Sequence, residues 1–356
     1  MSDNLELVIL SVGGSAYAGF EKIGVGYGAK QAARTFGATL TENTQTPFGP
    51  AWNLMPGQAV SITANGDVVL VGHIEGMSPS YSATEHKVEI QGRSKSGDTV
   101  DSSAMHDTSE FKNKTILQVA QELDKQGVGF STDVSDLQKL PIFRINTGET
   151  IFQAVERIAR KQQLLLVGQA DGSIKIQKGG KERVHAALIE GKNILGASAQ
   201  FGDAGRHSKY HVKGQRAYGG LKNNSIRVTG EAEDGGVKRN RPKVIIPETD
   251  VADKKDASKR AKHHADRAQG EGVRASVKCQ GWRCSNGILW KPNTLVTVIS
   301  PMLHLSMDML IETVSLAQDS SGSFSQLSLV HPKALGSDAG GGPGASKEWA
   351  SDTSES

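Results

Sequence analysis

Two cysteines and two neighbouring histidines are the residues of this 356-residue chain that come closest to a metal-ligand set. Cys279 and Cys284 have C-x4-C spacing, and His263 and His264 precede them. Structural zinc requires about four convergent thiolate or imidazole ligands. Cys279, however, falls in the apolar phase of an alternating segment, where a buried free thiol is the ordinary outcome. We therefore predict no metal site and no cofactor.

A glycine-rich stretch, Gly24-x-Gly26-x-Gly28-x-Lys30, has some features of a phosphate-binding loop. It lacks the GxxxxGK[ST] spacing, and no helix pattern begins at Lys30 to direct an N-terminal dipole at a phosphate. A glycine-rich strand or loop is the preferred interpretation.

No residue pattern typical of catalysis is present in the sequence. The G-x-S-x-G, HExxH and Cys-His signatures are missing. Glu149, Glu156 and Glu190 are scattered, and nothing places two carboxylates at glycosidase separation. Glu149 is predicted to lie in the first turn of a helix, where the dipole favours negative charge. His207 and His211 share a face with lysines that would repel a cation, so we predict a solvated basic face there. Because no catalytic pattern is present, we also predict that the protein is not an enzyme.

The charged segment from Lys238 to Arg274 is the candidate for binding nucleic acid. Its basic residues are interspersed with Asp and Glu, and aromatic side chains for base stacking are absent. The net charge of +3 gives no global field towards DNA or an anionic membrane. A solvated helix face is preferred, and nucleic-acid binding stays an unsupported alternative.

Length and composition predict a soluble chain of two or three domains. Apolar runs such as Leu164 to Val167 fall far short of the ~20 residues that span a bilayer. Two cysteines and the lack of a secretion signal indicate folding in a reducing cytoplasm. Abundant glycine with few aromatics favours many short strands joined by turns.

One pattern of strands and turns occurs twice. The first copy runs from Pro56 to Ile90 and the second from Pro292 to Leu329. Pro292 follows Pro56 by 236 positions, and Leu329 follows Ile90 by 239. A repeated β-unit indicates two similar barrels or sheets, and a symmetric oligomer of such chains doubles its apparent symmetry.

Residues 1 to 105 read as an antiparallel β domain. Leu5, Leu7 and Ile9 alternate with Glu6, Val8 and Leu10 and predict an opening strand. Asn65-Gly66-Asp67 is a hairpin signal inside the first copy of the repeat.

Residues 106 to 190 change to helical periodicity and predict a small α+β domain. One helix follows the capping box Thr115-x-x-Gln118 and stops at Gly127. A second helix is predicted over Glu149 to Lys161, and Asp171-Gly172 predicts a hairpin.

Residues 191 to 335 return to strand patterns, with a polar helix inserted near 250 to 270. The helix carries a narrow stripe of alanines suited to close packing, at Ala257, Ala261, Ala265 and Ala268. Residues 336 to 356 are rich in Gly and Ser and predict a disordered tail. The predicted fold class is therefore α+β and mainly β.

Two segments resemble a known family. Gly92-Arg93-Ser94, followed by Asp98 and Asp101, closes the first β domain. The second segment runs from Leu289 to Leu335 and contains Trp290, Pro292 and Pro332. In these segments, and over about residues 1 to 335, the chain resembles the central hub protein of Mu-like phage baseplates, in the wider late-control D group.

The resemblance implies a homotrimer in which each subunit contributes two similar tube-forming β-barrels, at 1 to 105 and 191 to 335. Six barrels then close a ring that joins a sixfold contractile-tail tube to a threefold central spike. The implied partners are the spike, tail tube, tape-measure and baseplate wedge proteins, with DNA only in passage and no membrane. The protein would be assembled in the host cytoplasm into the virion tail. Some relatives carry a fused lysozyme, and we expect no segment here for one.

In the family, the Gly-Arg-Ser signature ends the first tube domain and leads into the next. Arg93 is expected to pair with Asp98 or Asp101 to fix that exit, or to contact a neighbouring subunit; the structural role is favoured. Two alternatives stay open: a cell-wall-degrading tail enzyme, and a wall-binding or nucleic-acid-binding module on Lys238 to Arg274.

Overall fold

The computed structural model describes residues 5–41, 54–215, 227–247 and 253–336. Within these ranges the protein forms one large sheet of 13 strands, three small sheets and four α-helices. The predicted tail, apart from Gly336, lies outside the described residues.

The first part of the large sheet is an antiparallel array in the order β3-β4-β7-β6-β5-β1-β2. The predicted opening strand begins only at Val8. Its buried face is Val8, Leu10 and Val12, whereas Leu5 and Leu7 are more than half exposed. The strands are β1 (Val8–Val12), β2 (Ser15–Tyr17), β3 (Lys22–Gly28), β4 (Thr35–Thr41), β5 (Ala59–Ala64), β6 (Asp67–Tyr81) and β7 (His86–Ser94).

A compact α+β region with its own apolar core follows. The capping box at Thr115 is present, but the predicted stop at Gly127 is wrong. The helix ends at Leu123 because the Asp124 carboxylate accepts hydrogen bonds from the Val128 and Gly129 amides, which turns the chain earlier. The elements are α1 (Gly97–Asp101), β8 (Glu110–Thr115), α2 (Ile116–Leu123), β9 (Phe130–Thr132), β10 (Lys139–Arg144), α3 (Ile151–Gln162), β11 (Leu165–Gly168) and β12 (Ile174–Gln177).

The start of α3 also differs from the prediction. Thr150 is its N-cap, so Glu149 lies before the helix instead of in its first turn. The Glu149 carboxylate accepts two hydrogen bonds from Arg157, at 2.9 and 2.8 Å. The predicted hairpin at Asp171-Gly172 is confirmed, with Gly172 at φ +83° between β11 and β12.

The next elements return the chain to the large sheet and then form a small sheet, β16-β15-β17, under a helix. The predicted alanine stripe is confirmed: Ala257, Ala261 and Ala265 are buried and share a core with Tyr210 and Val212. The elements are β13 (Arg183–Ile189), β14 (Ile194–Phe201), β15 (Lys209–Gln215), β16 (Arg227–Glu233), β17 (Pro242–Ile245) and α4 (Lys254–Glu271).

The last strands complete the large sheet: β18 (Val273–Gln280), β19 (Leu295–Ser300), β20 (Leu305–Asp319) and β21 (Gly322–Val330), followed by a 3₁₀ helix, Pro332–Leu335. β13 pairs in parallel with β19, and β14 pairs antiparallel with β18. One continuous apolar core serves both parts of this sheet.

The repeat is confirmed in the strand pairing. β5-β6-β7 and β19-β20-β21 are both antiparallel meanders. Ile74 lies opposite Gly92, and Ile311, 237 positions later, lies opposite Leu329, which follows Gly92 by the same 237. The register shifts immediately after both isoleucines. The second hairpins of the two copies, β6-β7 and β20-β21, therefore agree to the residue. Leu329 corresponds to Gly92 and not to Ile90, as the sequence spacing had suggested. The first hairpins differ, because β5-β6 has a register shift after Ile62 that β19-β20 lacks.

The turns that open the two copies are also equivalent. After their prolines, Gly57 and Asn293 have φ values of +89° and +62°, which glycine and asparagine tolerate best. Gly57 donates its amide to the Ile74 carbonyl at 2.7 Å, and Asn293 donates to Ile311 at 2.8 Å. The proline followed by a left-handed residue sets the entry of each meander.

Replacement of the α3 cap tests the local part of this description. Thr150→Ala removes the hydroxyl that accepts the Gln153 amide hydrogen bond, so we expect a loss of about 1 kcal/mol in unfolding free energy. Urea denaturation measures it. Thr150→Ser keeps the hydroxyl and serves as the control; equal losses in both variants would contradict the capping role.

Candidate functional site: the sheet junction and the Gly-Arg-Ser exit

The two parts of the large sheet meet where β3 pairs antiparallel with β20. The register places Val25 opposite Leu316 and Tyr27 opposite Val314. The glycines that resembled a phosphate loop lie in β3, so the strand interpretation is confirmed. A Cβ at Gly28 would come within 3.0 Å of the Thr313 side chain. The glycines thus let two strands approach closely.

Polar contacts fix this junction at its edge. Glu312 occupies the β20 bulge and binds Lys30 at 2.9 Å and Arg274 at 3.5 Å. The buried Tyr27 hydroxyl donates to the Trp290 carbonyl at 2.8 Å. Burial raises the pKa of Tyr27 to about 12, against the opposing effect of the nearby Arg34 charge. The hydroxyl therefore stays a neutral donor.

A second contact between the two parts was missed by sequence reasoning. Arg283 binds Glu6 at 2.9 Å and Asp67 at 2.6 Å and donates to the Ala64 carbonyl. Glu6 is buried and lies in the same phase as Val8. An acidic residue in the buried phase of the predicted opening strand was the available signal, because such a charge requires a partner.

Gly92 of the signature lies at a close approach of β7 to the backbone of β6. A Cβ at this position would lie 2.1 Å from the His73 carbonyl oxygen and 2.7 Å from the Phe36 ring. A Cβ at Gly72 would meet the Arg93 carbonyl at 1.9 Å. Only glycine fits at either position without displacement of backbone.

Arg93 clamps the exit from β7 into α1. Its guanidinium binds Glu75, in the bulge of β6, at 2.7 Å, and it also pairs with Asp101 at the end of α1. Asp101 is one of its two predicted partners. Asp98 instead lies in the first turn of α1. The hydrogen bond from Arg93 lowers the pKa of Asp101.

Ser94 belongs to a buried hydrogen-bond chain behind the clamp. Its hydroxyl accepts the Arg34 amide at 2.9 Å and lies 2.7 Å from the Ser96 hydroxyl, which donates to the Ala32 carbonyl. Arg34 also donates to the carbonyls of Val69 and Gly168, at 2.8 and 3.2 Å. The chain thus ties the first β-unit to the α+β region.

The second signature segment lies beside the junction and after the second meander. Trp290 is buried and supplies the carbonyl that Tyr27 contacts. Pro292 opens the turn before β19, and Pro332 begins the 3₁₀ helix that follows β21. Because Leu329 corresponds to Gly92 in the repeat, Pro332 marks the exit that is equivalent to the Gly-Arg-Ser exit.

The candidate ligand residues remain separate. In the described parts of the chain no group of three or more His, Cys, Asp or Glu residues is placed to hold a metal ion. Cys279 and Cys284 are buried and unbonded to each other, and burial raises the pKa of Cys279 to about 12. His263 and His264 lie on α4. His211 binds Glu231.

The scattered carboxylates each have a separate structural contact. Glu149 binds Arg157, and Glu156 binds Arg160 within α3. Glu190 accepts a hydrogen bond from Ser300 at 2.6 Å. No helix in the described ranges has both the length and the apolar composition that a bilayer crossing requires.

Three family models match consecutive parts of the chain. The N-terminal domain of Mu phage baseplate assembly protein GpP-like proteins matches 7–94. The second domain of baseplate hub gp44-like proteins matches 96–178, and the fourth domain of Mu phage baseplate assembly protein GpP matches 253–338.

Similar whole chains agree with these matches. The baseplate hub protein gp44 of Escherichia phage Mu is 26% identical over 335 residues, which cover 91% of this chain and 87% of that protein. The 43 kDa tail protein of prophage MuSo2 from Shewanella oneidensis is 27% identical, with a TM-score of 0.82 over 93% of this chain and 99% of that one. A tail protein from Neisseria meningitidis shares the fold at 20% identity, with a TM-score of 0.77 and coverages of 92% and 99%.

The fold and these similarities define a structural component of a phage tail baseplate. The chain belongs to the Mu-like baseplate hub proteins and is a virion tail protein. The resemblance noted for the two signature segments is therefore confirmed at the level of the family.

Gly92→Ala tests the close approach at the exit. The added methyl group overlaps the His73 carbonyl, so we expect the unfolding free energy to fall by about 3 kcal/mol. Chemical denaturation measures it. Gly37→Ala on the adjacent strand is the matched control, because its nearest contact is 3.9 Å away and its cost should stay below about 1 kcal/mol. Equal costs would refute the packing argument.

Asp101→Asn tests the clamp through pH. The hydrogen bond from Arg93 lowers the folded-state pKa of Asp101. The ionised carboxylate therefore stabilises the fold above the unfolded pKa of about 3.9, and this stabilisation is lost as pH falls through the folded-state pKa. We expect Asp101→Asn to be less stable than wild type at pH 7, with the difference shrinking below pH ~4. Urea unfolding across this range measures it. Asp98→Asn is the control, and a pH-independent difference for Asp101→Asn would contradict the clamp.

Proposed function

We propose that this baseplate hub protein acts as a homotrimeric ring that joins the sixfold tail tube to the threefold central spike. The observation that carries the proposal is the repeat, because two meanders lie in one sheet and their second hairpins agree in register. Three subunits then present six similar β-units to the tube and three chains to the spike. The two units per subunit would close as tube-forming barrels in the ring.

The outer face of the junction supports a role as a passage. A row across it carries Gln326, Ser315, Gly26 and Thr35, and the next row pairs Ala317 with Gly24 and Gly37. These side chains are small or uncharged. The first row continues to Lys278, opposite Gln326, and to Arg93, opposite Thr35, so the uncharged stretch is confined to the junction itself. Its small side chains offer little bulk to obstruct a tape-measure protein.

The regions outside the repeat are our candidates for partner contacts. The α+β region at 97–178 and the α4 region interrupt the two β-units. The wedge and spike proteins would be recognised there, while the β-units form the ring.

A structural role without catalysis fits the separate contacts of the carboxylates. A wall-degrading enzyme remains the alternative from another class, and hydrolysis of peptidoglycan by the purified protein, lost on a single Glu or Asp replacement, would favour it. Binding of DNA with a steep dependence on salt would favour a nucleic-acid module on Lys238 to Arg274.

Mass in solution tests the ring directly. We expect light scattering to give three times the chain mass of 37.8 kDa, constant over a tenfold range of concentration. A stable dimer, or a monomer at every concentration, would contradict the homotrimer. Measurement at high salt is the control, because a ring held by backbone ladders persists where surface ion pairs are screened.

A further inference from the structure

An open groove of about 410 Å³ lies between β10 and α3, in the α+β region, and we call it the β10–α3 groove. Its apolar lining consists of Leu140, Ile142, Phe143 and Ile158. Three of these side chains are buried in the core of the region, whereas Ile142 is 57% exposed. Ile142 therefore lies at an opening that no described residue covers.

The edge of β10 that faces this groove is unpaired. Among the described residues, β10 pairs only with β8. Ile145, just after β10, donates its amide to the Ser109 carbonyl at 3.0 Å, which fixes the phase of the strand that bonds to β8. Backbone groups alternate in direction along a strand, so Ile142 and Arg144 turn theirs away from β8. The Arg144 carbonyl accordingly accepts a hydrogen bond from Arg157 of α3 at 2.8 Å.

The remaining backbone groups on this edge can bond to an added strand. Ile142 directs both its amide and its carbonyl at the groove, and Arg144 directs its amide there. Pro141 does not block the edge, because the register of β10 with β8 skips Pro141 and its missing amide falls in the phase that faces β8. An extended peptide along β10 therefore finds backbone donors and an acceptor, as in other cases of strand addition.

The rim of the groove is cationic. The charged residues that line it are Arg144, Arg157 and Lys161. Arg144 binds Glu110 at 2.7 Å, and Arg157 binds Glu149 at 2.8 Å. Lys161 is exposed and has no ion pair among the described residues. An acidic side chain that approaches the groove therefore meets a cation that no carboxylate of the described chain neutralises.

These features fit a peptide better than a nucleic acid. Bases bind by stacking on open aromatic rings, but Phe143 is buried and its ring is covered by the Arg157 guanidinium, 4.5 Å from the ring centroid. An extended peptide bonds to the open edge through its backbone and alternates its side chains between two faces. One face can then pack on Ile142 while the other brings acidic groups to Lys161.

We propose that the β10–α3 groove binds an extended acidic segment of a partner protein, which adds as a strand to the open edge of β10. The segment alternates acidic and apolar residues, so that its apolar face packs on Ile142 and its acidic face meets the cationic rim. This inference rests on the proposal that the α+β region contacts partners, and it does not depend on the ring.

Binding of a peptide to the full-length protein tests the charge at the rim. The probe is a fluorescein-labelled hexapeptide, Glu-Val-Glu-Leu-Glu-Val, and fluorescence anisotropy measures its affinity. We expect saturable binding, and none for Lys-Val-Lys-Leu-Lys-Val. Lys161→Glu should lower the affinity about tenfold, because it reverses the charge at the rim. Lys125→Glu, at an exposed residue of the α+β region that does not line the groove, is the control and should change the affinity less than about twofold.

Replacement of the exposed isoleucine tests the apolar contact. Ile142→Thr keeps a β-branched side chain, so the melting temperature should match that of wild type. Its affinity for the acidic peptide should fall about fivefold, because a hydroxyl replaces apolar surface. Val244→Thr on β17, where the valine is 52% exposed, is the matched control and should bind like wild type. An unchanged affinity for Ile142→Thr would overturn the groove as the binding site.

Methylation of the peptide backbone tests strand addition. Successive amides of an extended peptide point to opposite edges, so only one of two neighbouring amides can face β10. Two probes each carry one N-methyl group, on the leucine or on the glutamate that follows it. One probe should lose affinity by at least about fivefold, and the other should bind like the parent peptide. Equal behaviour of the two probes would contradict strand addition.

Other occupants of the groove give different results. Binding of a DNA oligonucleotide that Lys161→Glu abolishes, without binding of the peptide, overturns the inference in favour of nucleic acid. Dissociation of a trimer by the peptide, seen in light scattering, overturns it in favour of a second copy. A trimer that does not bind the peptide overturns this inference and leaves the ring intact. Peptide binding by a protein that stays monomeric supports the inference and contradicts the ring.

Discussion

The pairing of β3 with β20 is the constraint on which the rest of the structure depends. An antiparallel ladder requires each strand to meet the backbone groups of its neighbour, and this ladder joins residues almost 300 positions apart. Gly28 permits the close approach of the two strands. Tyr27 donates a hydrogen bond to the Trp290 carbonyl, and Glu312 binds Lys30 beside the junction. Once these strands are joined, the two meanders share one core, and the exits after β7 and β21 take equivalent places.

The repeat explains why one bulge serves two purposes. Glu75 and Glu312 occupy equivalent bulges, yet Glu75 holds Arg93 at the exit into the α+β region, whereas Glu312 holds Lys30 and Arg274 at the junction. A bulge turns a side chain out of the regular pleat, so the glutamate of each copy can contact basic residues outside the regular strand pairing. The geometry was retained while the contacts diverged.

The parts predicted from sequence are those that depend on local pattern. The capping box at Thr115, the Asp171-Gly172 hairpin and the alanine stripe of α4 depend on residues a few positions apart, and all were found. The Glu6–Arg283 pair joins residues 277 positions apart and was missed. The early end of α2 was missed for a different reason, because the Asp124 side chain competed with the glycine signal at Gly127. Gly92 was recognised from the resemblance to a known family. Only the structure shows why glycine is required there, because a side chain would collide with the His73 carbonyl.

The junction edge of the second copy and the equivalent outer edge of the first copy face different physical demands. The junction forms within one chain at high effective concentration during folding, and it can be reinforced by groups such as the Tyr27 hydroxyl without harm. Among the described residues, the equivalent β6 segment 76–81 pairs only with β7, so any passing strand could pair with its other side. Pro79 lies in this segment at the position of Leu316 and lacks an amide hydrogen, so an arbitrary strand gains one hydrogen bond fewer there. The same strand position is therefore closed by pairing in one copy and protected by a proline in the other.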